Sequence, residues 1–132
     1  MTTPRRKREA AQAYHLRSYA TLGYRARTLY QNAKSRAAAS GAPFGLTRAW
    51  VEEQLLSGRC AVTGLPFDTT SSGRGKGHQH PWAPSLDRIV PHLGYTQENT
   101  RAVVWMFNAA RHVGSDQDVM QFAEALCTTA PR

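Results

Sequence analysis

An α+β fold is what this sequence predicts: a long basic helix and a short second helix, then a strand–loop–strand–helix unit, then a closing helix. Three observations predict it. From Glu9 to about Ala39 the chain is rich in Ala, Arg, Leu and Gln, with no Pro and the single Gly23, a composition that favours helix. Two β-like runs, Leu86 to Val90 and Arg101 to Trp105, flank a turn containing Gly94-Tyr95, the pattern of a small hairpin. Ser115, with Asp118 three positions on, has the form of a capping box with Asp in place of Glu and marks the start of a last helix.

The elements follow in order. Residues 1–8 (MTTPRRKR) read as a flexible basic tail. Leu16, Tyr19, Leu22 or Gly23, Ala26, Leu29 and Tyr30 then recur at three- and four-residue steps, as one apolar face of a helix requires. Arg17, Arg25 and Arg27 fall off that stripe. The segment SGAPFG at 40–45 breaks the helix, with Gly and Pro supplying the turn. Thr47 is placed to cap a short second helix whose apolar side is Trp50, Val51, Gln54 and Leu55, ending near Gly58. Residues 69–80, made of Thr, Ser, Gly, Lys and His, read as a loop between the apolar pieces Cys60–Phe67 and Leu86–Val90. Met106 to His112 turns helical, and the closing helix runs through Val119, Phe122, Ala123 and Leu126. A basic helical arm at 1–45 and a second unit at 46–132 are the expected divisions.

Composition narrows the function classes. At 132 residues the chain has room for one modest domain and an extension. No apolar run approaches the roughly 20 residues that span a bilayer, so no membrane partner is expected, and the charged N-terminus lacks the apolar stretch of a secretory signal. Cys60 and Cys127 are the only cysteines, too few for a disulfide framework, which points to a reducing cytoplasm. The net charge of +8 is unevenly spread: residues 1–48 carry ten Lys or Arg against Glu9 alone, while the rest carry seven against eight acids. So concentrated a field suits a polyanion. Arg5, Arg6, Lys7, Arg8, Arg17, Arg25, Arg27, Lys34 and Arg36 are therefore the expected nucleic-acid contacts, the alternative being a solvated helix face.

Residues 84–111, PSLDRIVPHLGYTQENTRAVVWMFNAAR, carry the chemistry. The first strand ends in Asp87-Arg88-Ile89, Asn99 precedes the second, and Asn108 sits early on the helix that follows. This order and spacing resemble the ββα-metal finger of HNH endonucleases. The likeness is greatest to a group common in bacteriophage genomes that carries an S-L-D-R-I, G-Y, N-x-R signature. The preceding C-A-V-T-G-L-P-F at 60–67 matches that group too, and the resemblance spans about 44–111. It implies a ββα-metal domain, phosphodiester hydrolysis in double-stranded DNA, and a bacterial or phage-infected cytoplasm. One Mg²⁺ or Mn²⁺ is implied, with Asp87 and Asn108 at the ligand positions and Asn99 bracing the hairpin through its amide. A hard cation held by one carboxylate and an amide keeps waters and an open place for a phosphate oxygen.

The sequence departs from the better-known motif at two places. A His follows the Asp there and acts as general base; here the position holds Arg88, which cannot accept a proton but can clamp a phosphate or the transition state. The base would then come from His78, His80 or His92, and His80 is favoured because HPWAPS leads into the strand carrying Asp87. Second, Thr63 stands where a zinc knuckle would place a second Cys after Cys60, so the four thiolates of a closed structural site are missing and no structural zinc is expected. Two readings follow: a metal-dependent endonuclease, or an HNH-type module weakened by Arg88 that acts by binding nucleic acid or a partner protein. The long helix also offers an apolar stripe on which a homodimer could form.

Overall fold

The computed structural model describes residues 3–70 and 79–129, with the backbone alone at 14–20. Helix α1 spans Pro4–Ser40, α2 spans Arg48–Leu56, strand β1 spans Pro84–Arg88 and β2 spans Thr100–Val104; α3 covers Trp105–Arg111 and α4 covers Asp116–Thr129. A single 3-10 turn at Pro91–Leu93 lies in the hairpin loop. None of the described helices is long and apolar enough to cross a membrane.

The basic tail expected at 1–8 is helical from Pro4. Thr3 has extended backbone and its hydroxyl accepts from the Arg6 N–H at 3.3 Å. Pro4 then occupies the first helical position, where its missing N–H costs nothing. Residues 4–13 make no part of the core. From Leu22 onward the stripe is spent inside the chain: Ala26, Ala33 and Ala37 are buried with Leu46, Val51, Leu55, Leu86, Tyr95 and Ala102, and Leu22, Leu29 and Tyr30 pack against them. The small alanines let α2 and β1 approach the helix backbone closely. The second half of α1 thus shares one core with the hairpin, and the surface on which a homodimer was expected is largely used by the protomer itself.

Helix α2 begins as its sequence requires, the Thr47 hydroxyl accepting from Trp50 N–H at 3.1 Å. Strands β1 and β2 form a two-stranded antiparallel sheet in which Asp87 faces Arg101 and Arg88 faces Thr100. Both strands lie slightly N-terminal of expectation. The second stops at Val104 because the next two N–H groups turn to another segment: Trp105 donates to Ala83 O at 2.7 Å and Met106 to Pro81 O at 2.9 Å. Donors at a helix start that would otherwise be orphaned are thereby satisfied by the chain leading into β1.

A second core cluster, Cys60, Val103, Val104 and Phe107, lies on the other side of the sheet, with Trp82 and Val119 against it. The 60–67 segment is a tight turn rather than a strand: Gly64 N–H reaches Cys60 O at 2.9 Å and Cys60 N–H reaches Leu65 O at 2.8 Å. The Cys60 sulfur accepts from Thr63 N–H at 3.5 Å. The capping box forms at α4 in both directions, Ser115 N–H to Asp118 Oδ2 at 2.8 Å and Asp118 N–H to Ser115 Oγ at 3.2 Å.

Candidate active site

The loop between the strands is held open by one amide. Asn99 Oδ1 accepts from Val90 N–H at 3.0 Å, while its Nδ2 donates to Val90 O at 2.9 Å and Gly94 O at 2.8 Å. The neighbouring Gly-Tyr pair ties this loop to the end of α1. Tyr95 N–H donates to Pro43 O at 3.0 Å and Gly45 N–H to Tyr95 O at 2.8 Å. Gly94 has φ +75°, and a Cβ there would lie 2.2 Å from Pro43 O, so both the left-handed backbone and the close approach require glycine.

Strand alternation sends Leu86 into the core beneath α1 and Asp87 to the opposite face. Asp87 is wholly buried there. Its Oδ2 accepts from Arg101 Nε across the hairpin at 2.8 Å; its Oδ1 accepts from Arg111 Nε at 3.1 Å and from Arg111 Nη2. Arg101 continues to Asp116 at 2.7 Å, which links the hairpin to α4. The hydrogen bond from Arg101 holds the Asp116 carboxyl below its ordinary value. Asn108, one turn into α3, is oriented by Nδ2 donating to Ser85 Oγ at 2.8 Å and Leu86 O at 3.1 Å. Its Oδ1 is left without a donor among the described residues.

Arg88 turns back over its own loop, donating to Pro91 O at 3.3 Å with its guanidinium carbon 5.1 Å from the centre of the Tyr95 ring. It lines a cavity of about 190 Å³ together with Arg36, Asp87, Asn108, Arg111 and His112. A longer groove of about 400 Å³ runs from there between α1 and the finger, walled by Arg25, Asn32 and Arg36 on one side and Ser85, Trp105 and Asn108 on the other. Arg36, Leu86, Tyr95 and Asn108 line both. Arg25, Asn32 and Arg36 are spaced to share one helix face, and that face is turned to the finger.

The expected site residues are thus only partly assembled. Asp87, Arg88 and Asn108 come together around the cavity, with Asn99 shaping the loop beside them. His80 does not join them: its Nδ1 accepts from Trp82 N–H at 3.0 Å and its Nε2 lies 3.4 Å from Asp68 Oδ2. His92 is exposed on the 3-10 turn and lines neither space. His78 and the Arg17 side chain lie outside the described residues. Of the basic side chains, Arg25 and Arg36 face the groove, Arg25 being steadied by Gln79 Oε1 and Thr69 O, each at 3.3 Å. Arg6, Lys7, Arg8, Arg27 and Lys34 are exposed, and Arg5 pairs with Glu9 at 2.9 Å.

Sequence reasoning missed Arg111 and His112. His112 follows the last residue of α3, has φ 42°, and bonds Asn108 O through its N–H at 3.0 Å. A positive φ is uncommon outside Gly, although Asn, Asp and His adopt it more often than other residues, and nothing in the local sequence announced it. Arg111 follows Asn108 by three positions, hence on the same helix face; that spacing was the available signal.

A two-stranded antiparallel hairpin braced by an amide and delivering its second strand into a short helix defines an α+β protein of HNH-type ββα fold. Among solved structures the chain is similar to PacI, a rare-cutting HNH restriction endonuclease described for its mechanism of DNA perturbation. The similarity has a TM-score of 0.55 at 18% identity over 76% of this chain and 75% of that one. No protein-family model and no curated protein matches.

HNH fold implies a divalent cation, and the side chains present are a test of it. A hard cation needs oxygen atoms with free lone pairs and a negative or neutral surround. Asn108 Oδ1 meets the first requirement. Asp87 does not: it has no exposed surface, both of its oxygens already accept from guanidinium groups, and those cations would repel a metal placed beside it. As folded, the Asp87–Asn108 pair does not fit the ion.

Proposed function

We propose that this protein is an endonuclease of HNH type, of the phage-associated D-R-I variant, acting on the phosphodiester backbone of double-stranded DNA. The observation that carries the reading is the continuity of the groove. The face of the basic helix that carries Arg25 and Arg36 lines a groove that opens into the cavity holding Asp87, Arg88 and Asn108. The motif and the cationic arm therefore serve one surface. Guanidinium groups along α1 hold and register the backbone without reading bases. Arg88 spends one donor on Pro91 and has others in its fork to meet a phosphate oxygen and the charge that grows on it during attack. Asn108, its amide fixed by Ser85 and Leu86, presents an oxygen that can orient the attacking water. His112 is the imidazole on the cavity wall, and a neutral imidazole can take the proton from that water. Two free cysteines accord with a reducing cytoplasm, in a bacterial or phage-infected cell.

A second reading, a DNA-binding module without turnover, is favoured by one specific arrangement: Arg88 in the usual base position beside an Asp87 that is already paired. Incubation of the purified protein with supercoiled plasmid in Mg²⁺, Mn²⁺ or EDTA, with a gel shift run in parallel, separates the two. Conversion to nicked circles in any of the three supports the nuclease. A shift with no nicking in all three supports the module.

A further inference from the structure

We infer that Arg111 stands in this protein where the resemblance would put a metal ion, so that Asp87 positions a guanidinium rather than ligating a divalent cation. Every donor of the Arg111 fork has a partner. Nε and one Nη2 proton go to Asp87 Oδ1, and the other Nη2 proton goes to Arg88 O. Nη1 reaches Ile89 O and Gly114 O, each at 3.4 Å. The side chain is 4% exposed and that of Asp87 0%. A guanidinium so completely engaged is a built part of the interior, not a cation passing through a vacant ligand.

Its partners show what it does. Arg88 O belongs to the end of β1 and Ile89 O to the residue just after it, and Gly114 O belongs to the turn after α3. Arg111 therefore stitches together the two walls of the cavity, one carrying Arg88 and the other His112. Arg101 closes the other side of the carboxylate and hands the link on to Asp116. Asp87 and Arg111 are accordingly positioning residues. The inference goes beyond the nuclease reading and stands apart from it, since metal binding and stability are measured without cleavage.

Two measurements on the full chain test it. In the first, Mn²⁺ is titrated into the wild type and Asp87→Asn and followed by electron paramagnetic resonance, with and without a phosphorothioate duplex that resists cleavage. The expected result is the same free-Mn²⁺ signal for both proteins, with no bound ion that the substitution removes. An ion bound by the wild type and lost in a folded Asp87→Asn would overturn the inference. In the second, thermal midpoints are compared for Asp87→Asn, Arg111→Met and the double variant Asp87→Leu/Arg111→Met. Asp87→Asn strips the buried Arg111 guanidinium of its counter-charge and Arg111→Met strips Asp87 Oδ1 of its donors, and each is expected to lower the midpoint by more than about 10 °C. The double variant, with no orphaned charge on either side of this pair, is expected to melt above both. Single variants that melt with the wild type, or a double variant whose loss is the sum of the two, would overturn it equally.

Discussion

At the scale of single residues the proposed nuclease chemistry turns on which imidazole is free. His80 spends Nδ1 on Trp82 and holds Nε2 beside Asp68, and His92 points away on the loop surface. His112 alone among the described histidines lines the same cavity as Arg88 and Asn108. His112→Ala is therefore expected to slow single-turnover nicking by roughly a hundred- to ten-thousand-fold, the range for losing a general base, while DNA affinity stays within about two-fold. His80→Ala and His92→Ala should nick at the wild-type rate. Equal rates for His112→Ala and wild type would remove the imidazole from the mechanism. The preference for His80 drawn from its nearness in sequence to Asp87 gives way for a simple reason. HPWAPS does lead into β1, but the turn that delivers it uses the His80 ring as an acceptor for its own backbone.

At the scale of elements α1 does two jobs with its two halves. From Leu22 onward one face of the helix belongs to the core, whereas no residue of 4–13 does. Removing 1–40 to test the arm would also remove Ala26, Ala33 and Ala37, so the informative truncation ends at residue 13. That shorter deletion takes away Arg5, Arg6, Lys7 and Arg8 and leaves Arg25 and Arg36 on the groove. Its melting midpoint should stay close to wild type. The slope of log affinity against log salt should fall by about 0.9 for each phosphate that the shortened helix no longer neutralises. An unchanged slope in a gel-shift series would show that residues 1–13 do not meet the backbone. The helix itself was legible in composition and period, as were the Thr47 cap and the Ser115–Asp118 box, because all of these rest on neighbours within four positions. Its start was less legible: Thr3 and Pro4 form a start signal that a run of like charges obscures.

At the scale of the molecule one ion-pair chain joins four elements: Asp87 on β1, Arg101 on β2, Arg111 on α3 and Asp116 opening α4. Asp116 is half exposed, so its link is screened and modest in strength, but it titrates. The hydrogen bond from Arg101 depresses its carboxyl below the ordinary 3.8, and the Arg101 guanidinium is correspondingly raised. A depressed folded-state value means stability that is present in full above the ordinary value and lost as pH falls through the folded one. Asp68, lowered by its hydrogen bonds to Thr70, adds in the same direction. The urea midpoint is expected to drop between roughly pH 5 and pH 2, and Asp116→Asn to drop less steeply from a lower plateau. Parallel curves for the two proteins would show that this pairing does not form in solution.

Local order determined a good deal by itself. Asp87, Asn99 and Asn108 could be set on the right elements, and Gly94-Tyr95 in the right loop, because a hairpin feeding a helix brings residues some ten positions apart together without help from the rest of the chain. What each side chain faces was decided by tertiary packing. Asp87 reads as a ligand until Arg111, twenty-four positions away, folds over it. Arg36 reads as one cation among many until the alanine face of α1 docks on α2 and the finger and turns it into the groove. Such outcomes depend on where distant helices come to rest, and a carboxylate carries no mark in the sequence of whether the cation it meets will be a metal ion or a guanidinium.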